Sequence, residues 1–84
     1  MMDGAANTPD VEEPDFDAAG FMLPPWLKYP DLPSGSAGWR MGRGEDYWQR
    51  LLRWWGRQPL DVRRAVQAAY PPPPEWAKVY VALG

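Results

Sequence analysis

"YWQRLLRWWG", residues 47–56, holds three of the six tryptophans of this 84-residue chain, and its apolar period is helical. At about 100° per residue from Tyr47, the side chains of Leu51, Trp55, Trp48 and Leu52 fall within an arc of about 140°. Gln49, Arg53, Arg57 and Arg50 take the opposite side. Trp54 lies just outside the apolar arc, with Arg50 at i−4 and Arg57 at i+3 on its polar flank. Gly56 and Pro59 supply stop signals beyond it.

Working outward, "GSAGWRMGRGEDYW" (35–48) sets four glycines, Trp39, Arg40 and Arg43 ahead of that helix. Glycines at a helix N-terminus can cradle phosphate, because free backbone N–H groups and the positive end of the helix dipole converge there. Here Glu45 and Asp46 occupy the same position. Asp46 with Gln49 reads as an acidic capping box that consumes those donors, and the Lys-Ser/Thr ending of a phosphate-binding loop is absent. The loop is therefore expected to be packing that folds Trp39 onto the helix. On the other side, "PLDVRRAVQAAYP" (59–71) predicts a second helix, with Asp61 as N-cap and Val62, Ala65, Val66, Ala69 and Tyr70 on one face. "PPPP" (71–74) ends it and reads as a rigid elbow rather than a polyproline ligand. In "PEWAKVYVALG" (74–84), Trp76, Val79, Tyr80 and Leu83 have helical spacing, while the β-propensity of "KVYVAL" leaves a short strand open for 75–83.

Upstream, "PPWLKYPDLP" (24–33) spaces four prolines around Trp26, Leu27, Tyr29 and Leu32, so an extended segment laid on the helices is expected. Before it, residues 1–23 contain six carboxylates (Asp3, Asp10, Glu12, Glu13, Asp15, Asp17) and no base. The formal charge of −2 is thus an acidic arm joined to a basic body that carries all nine Lys and Arg. With only Val11, Phe16, Phe21, Met22 and Leu23 as apolar anchors, the arm is expected to be disordered when alone. All six Trp and all four Tyr fall in residues 24–84. A body of about 60 residues buries only roughly 60% of its unfolded surface, so these large rings take the place of disulfides or metals. The expected fold is mainly α: a small bundle of two to three short helices wrapped by the extended Pro/Trp-rich segment, with an acidic flexible arm over 1–23 and one aromatic-rich domain over 24–84.

There is no cysteine and no histidine. That removes disulfides, the usual zinc sites, thiol nucleophiles and imidazole acid-base chemistry. Glu45 and Asp46 are the best carboxylate pair, but sequence neighbours seldom face one another across a cleft as glycoside hydrolysis needs. Catalysis, cofactors and metal ligation are not expected. Arg50, Arg53, Arg57, Arg63 and Arg64 form basic stripes, yet the acidic arm would compete with nucleic acid for them, so direct nucleic-acid binding ranks third among the readings. No basic, apolar leader and no apolar run of about 18 residues is present, so a cytoplasmic address with no membrane contact is expected.

In size, acidity and lack of catalytic apparatus the chain is similar to small phage-borne inhibitors such as anti-CRISPR proteins and to bacterial immunity proteins. That is a resemblance of profile which no specific residues carry. It implies a small cytoplasmic inhibitor, monomeric when free, that acts stoichiometrically on a larger protein. The alternative is an accessory subunit of a multiprotein complex whose acidic arm orders on docking. Trp and Arg are the residues most enriched in binding hot spots, which points to Trp54 with Arg50, Arg53 and Arg57 as the contact surface, and to Trp26 and Tyr29 on the proline-rich segment as the second choice.

Overall fold

Two glycines fix where the longest helix begins. In the computed structural model, which describes residues 14–84, Gly42 has φ 105° and ψ −156°, a backbone region essentially open to glycine alone. It caps α2, Arg43–Gly56. One residue into that helix, a Cβ on Gly44 would lie 2.3 Å from the Gly38 carbonyl oxygen and 3.0 Å from the Trp39 ring. The missing side chain lets a 3-10 turn, Ala37–Trp39, press against the first turn of α2. The Ser36 hydroxyl accepts the Gly38 N–H at 3.1 Å, and the Trp39 indole N–H donates to the Leu32 carbonyl at 3.0 Å. The glycine loop is thus built for close packing. No side chain caps α2; Asp46, expected to do so, pairs instead with Arg50 one turn on at 3.2 Å. Gly44→Ala should lower stability by about 2 kcal/mol, because the clash is with backbone that has no rotamer to yield. Gly35→Ala, with nothing within 4 Å of the new methyl, should stay within about 0.5 kcal/mol of wild type. Equal urea midpoints for the two variants would refute this account of the loop.

The described residues are mainly helical and contain no strand; four α-helices are joined by turns. α1 is Pro25–Lys28, and α2 packs against it and against α4, Val79–Leu83. α3, Leu60–Ala69, starts one residue before the expected cap Asp61, because Pro59 already holds the extended conformation that an N-cap needs. Arg63 ties α3 to both ends of this assembly, donating to the Trp55 carbonyl at 3.1 Å and to the Gly84 carbonyl at 3.2 Å. The strand left open for 75–83 does not form. A 3-10 turn at Pro74–Trp76 precedes α4, and the Tyr80 hydroxyl donates to the Tyr70 carbonyl at 2.7 Å across the proline tract. The segment expected to be extended from residue 24 also turns helical at once, since Pro25 at the first helical position is preset for it.

The core follows one stripe of α2. Gly44, Tyr47, Leu51 and Trp55 are buried there, joined by Met22, Val66, Trp76 and Val79. Trp48, Leu52 and Val62, which the periodicity puts on the apolar faces of their helices, are only half-buried. Rings meet in a continuous series: Tyr47–Tyr29 (5.9 Å), Tyr29–Trp39 (6.0 Å), Trp39–Trp76 (5.2 Å), Trp76–Trp26 (6.0 Å), Trp26–Tyr80 (6.5 Å) and Tyr80–Trp55 (5.4 Å). Edge-to-face and tilted pairs of this kind add about 0.5–1.5 kcal/mol each beyond the area they bury.

Part of the expected acidic arm belongs to this packing. The Asp17 carboxylate accepts the N–H groups of Ala19 and Phe21, both at 2.9 Å, and Gly20 turns the chain at φ 88°. Phe16 and Met22 are thereby bridged, and Met22 and Leu23 are buried. Residues 14–23 lie on the body because these apolar groups reach it and because Asp15 meets two cations there. Residues 1–13, the remainder of the expected arm, lie outside the described residues.

Candidate partner-binding surface

The polar flank of α2 is organised by Asp15. Its carboxylate lies 3.0 Å from the Lys28 ammonium and 2.5 Å from an Arg50 guanidinium nitrogen. The Lys28 side chain is only 2% exposed and sits 5.6 Å from the centres of both the Tyr29 and Tyr47 rings. Arg50 lies 5.2 Å over Tyr47, whose hydroxyl donates to the Leu23 carbonyl at 2.6 Å. Burial pushes the Asp15 carboxyl up, but hydrogen bonds from Lys28 and Arg50, with their charges, outweigh it and hold it below the ordinary 3.8. The hydrogen bond to Asp15 in turn raises the Arg50 guanidinium.

Next to this cluster is a hollow of about 240 Å³ lined by Asp15, Phe16, Met22, Arg50, Arg53, Trp54 and Arg57. Four expected contact residues therefore share one surface, though in different states. Trp54 is half-buried and meets Phe16 edge-on at 6.2 Å. Arg50 is committed to Asp15 and Asp46. Arg53 and Arg57 are exposed and make no ion pair among the described residues. The other two expected residues lie elsewhere: Trp26 is set between Trp76 and Tyr80, and Tyr29 between Trp39 and Tyr47 with the Arg43 guanidinium 4.7 Å over it. Sequence reasoning missed Asp15, Phe16 and Met22 as parts of the hollow. The available signal was "DFDAAGF" (15–21), an Asp three residues before a Gly between aromatics, which is the pattern of a local turn.

Among the described residues no group of three carboxylates could hold a metal, and no helix is long and apolar enough to cross a membrane. In comparisons with protein-family models, curated proteins and solved structures, no match to this chain was found.

Proposed function

We propose that this chain is a non-enzymatic protein that binds a larger protein stoichiometrically, as a small inhibitor does, and that the hollow beside Trp54 is its contact surface. One observation carries the reading: a half-buried tryptophan backed by Phe16 is flanked by two exposed arginines that make no ion pair among the described residues. A rigid aromatic anchor next to cations is the composition of a binding hot spot. The ring needs little further ordering on contact, because Phe16 and Met22 already hold one side of it. Arg50 takes a supporting part, since its charge is spent on Asp15 and Asp46.

The test uses wild-type protein, Trp54→Ala, Arg53→Glu and the remote control Arg64→Glu, each immobilised and exposed to cell extract; the captured protein is then titrated with each variant. Trp54→Ala and Arg53→Glu should each weaken binding by about 2 kcal/mol, roughly 30-fold, with the far-UV spectrum unchanged. Arg64→Glu should bind as wild type does. Uniform affinity across the set would refute this surface. A chain that aggregates unless co-expressed with its partner would refute the inhibitor reading and favour a constitutive subunit.

A further inference from the structure

A second hollow, of about 360 Å³, shares no lining residue with the first: Trp39, Trp48, Trp76, Val79 and Ala82 form its apolar part, and Ser34, Glu75 and Lys78 its polar part. Its size lies within the range of small-molecule sites, and such sites combine mostly apolar walls with a few polar groups. The planes of Trp39 and Trp76 stand at 85° with ring centres 5.2 Å apart, so two indoles form a corner rather than a stack. Three rings outside this hollow have a cation of the protein over them. Tyr29 has Lys28 and Arg43 over it, Tyr47 has Lys28 and Arg50, and Trp55 has Arg63 at 5.7 Å. Among the described residues no cation lies over Trp39, Trp48 or Trp76.

Three indoles with a carboxylate beside them favour a cation, and the bulky, weakly hydrated trimethylammonium group fits an aromatic corner better than a strongly hydrated primary amine. Lys78 would repel a bare cation. An occupant that satisfies every polar group of the hollow also carries an anion, for the Lys78 ammonium and the Ser34 hydroxyl to receive. We propose that this hollow binds a small quaternary-ammonium zwitterion, of the betaine or phosphocholine type, with its methylated nitrogen on the indoles beside Glu75 and its anionic end toward Lys78 and Ser34. The site stands independently of the surface at Trp54.

The indole N–H signals of the labelled full chain, followed by NMR during titration, provide the test. Four probes are used: glycine betaine, phosphocholine, choline, and the neutral isostere of choline in which a tert-butyl group replaces trimethylammonium. Both zwitterions should shift the Trp39 and Trp48 signals, and the one that binds tighter identifies the anionic group preferred. Choline should bind more weakly than the zwitterions, and its neutral isostere about tenfold more weakly than choline, as expected when a partly desolvated cation–π contact is lost. Trp48→Leu and Glu75→Gln should weaken all three charged probes. Lys78→Gln should weaken the zwitterions alone. These substitutions are at half-buried or exposed positions, and an unchanged far-UV spectrum checks the fold of each. The proposal is overturned if neither zwitterion moves the indole signals, if the neutral isostere binds as tightly as choline, or if Glu75→Gln binds every probe as wild type does.

Discussion

Trp55→Ala should lose about 3–5 kcal/mol of stability, whereas Trp48→Ala, two turns away on nearly the same side of α2, should lose much less. The Trp55 ring is 2% exposed, lies 5.4 Å from Tyr80 at a 30° tilt, and has the Arg63 guanidinium 5.7 Å away on α3. It therefore joins the end of α2 to α3 and α4 together. Removing a buried Trp costs about 3–5 kcal/mol in lost transfer energy and unfilled cavity. A chain of 84 residues has roughly 4–13 kcal/mol to lose, at roughly 0.05–0.15 kcal/mol per residue, so the loss is a large share of the whole. Trp48 is half-buried at the rim of the hollow with Trp39 and Trp76, so its truncation opens a wall to water rather than a void in the core. A loss of about half that for Trp55→Ala is expected. Urea titrations followed by far-UV circular dichroism measure both, and equal losses would show that the buried stripe of α2 has been misplaced.

The same pair of residues shows how far the sequence could be read. The period of 47–56 is a local property, and it correctly foretells a helix with an apolar arc. Which edge of that arc is buried depends on what packs against it: Met22 covers Leu51 and Tyr47, while Trp48 lines an open hollow with Trp76 and Val79. Those neighbours are distant in the chain, and nothing in the local pattern ranks Trp48 below Tyr47. The candidate contact surface divides in the same way. Trp54, Arg53 and Arg57 are neighbours on one helix, so their grouping was legible. Arg50 looked equally available and is not, because its counter-charge, Asp15, comes from 35 residues away within a stretch whose acidity masked its apolar anchors. Proline misled in a similar manner. A Pro-Pro pair restricts φ in a way that suits both an extended segment and the first turn of a helix, and burial of Pro25 beneath the core selects the helix.

Asp15→Ala should cost about 3 kcal/mol, and Lys28→Met considerably less, although both remove the same ion pair. The asymmetry comes from what remains. Without Asp15, two cations lose a shared carboxylate: Lys28, whose side chain is 2% exposed, at 3.0 Å, and Arg50. Without Lys28, a methionine of similar length fills the site between Tyr29 and Tyr47, and Asp15, still 30% exposed, retains Arg50. The cost for Asp15 falls at the lower end of that for breaking a buried pair because of this partial exposure. The double variant Asp15→Ala/Lys28→Met should accordingly be more stable than Asp15→Ala alone. A pH dependence accompanies this. The folded state holds the Asp15 carboxyl below its ordinary 3.8, so the unfolded chain binds the proton more readily. The resulting stability is fully present above the unfolded value near about pH 4, and is lost as pH falls through the lower folded value. Other carboxylates lowered in the folded state, Asp17 through its hydrogen bond from Tyr70 and Asp31 through that from Arg43, add to the acid transition, so the comparison has to be made as a difference. The stability gap between wild type and Asp15→Asn, from urea midpoints across the acid range, should be constant at neutral pH and narrow as pH drops below about 4. A gap that stays constant down to the acid transition would show that the carboxylate's charge does not hold residues 14–23 against α2, leaving Phe16, Met22 and Leu23 as the anchor.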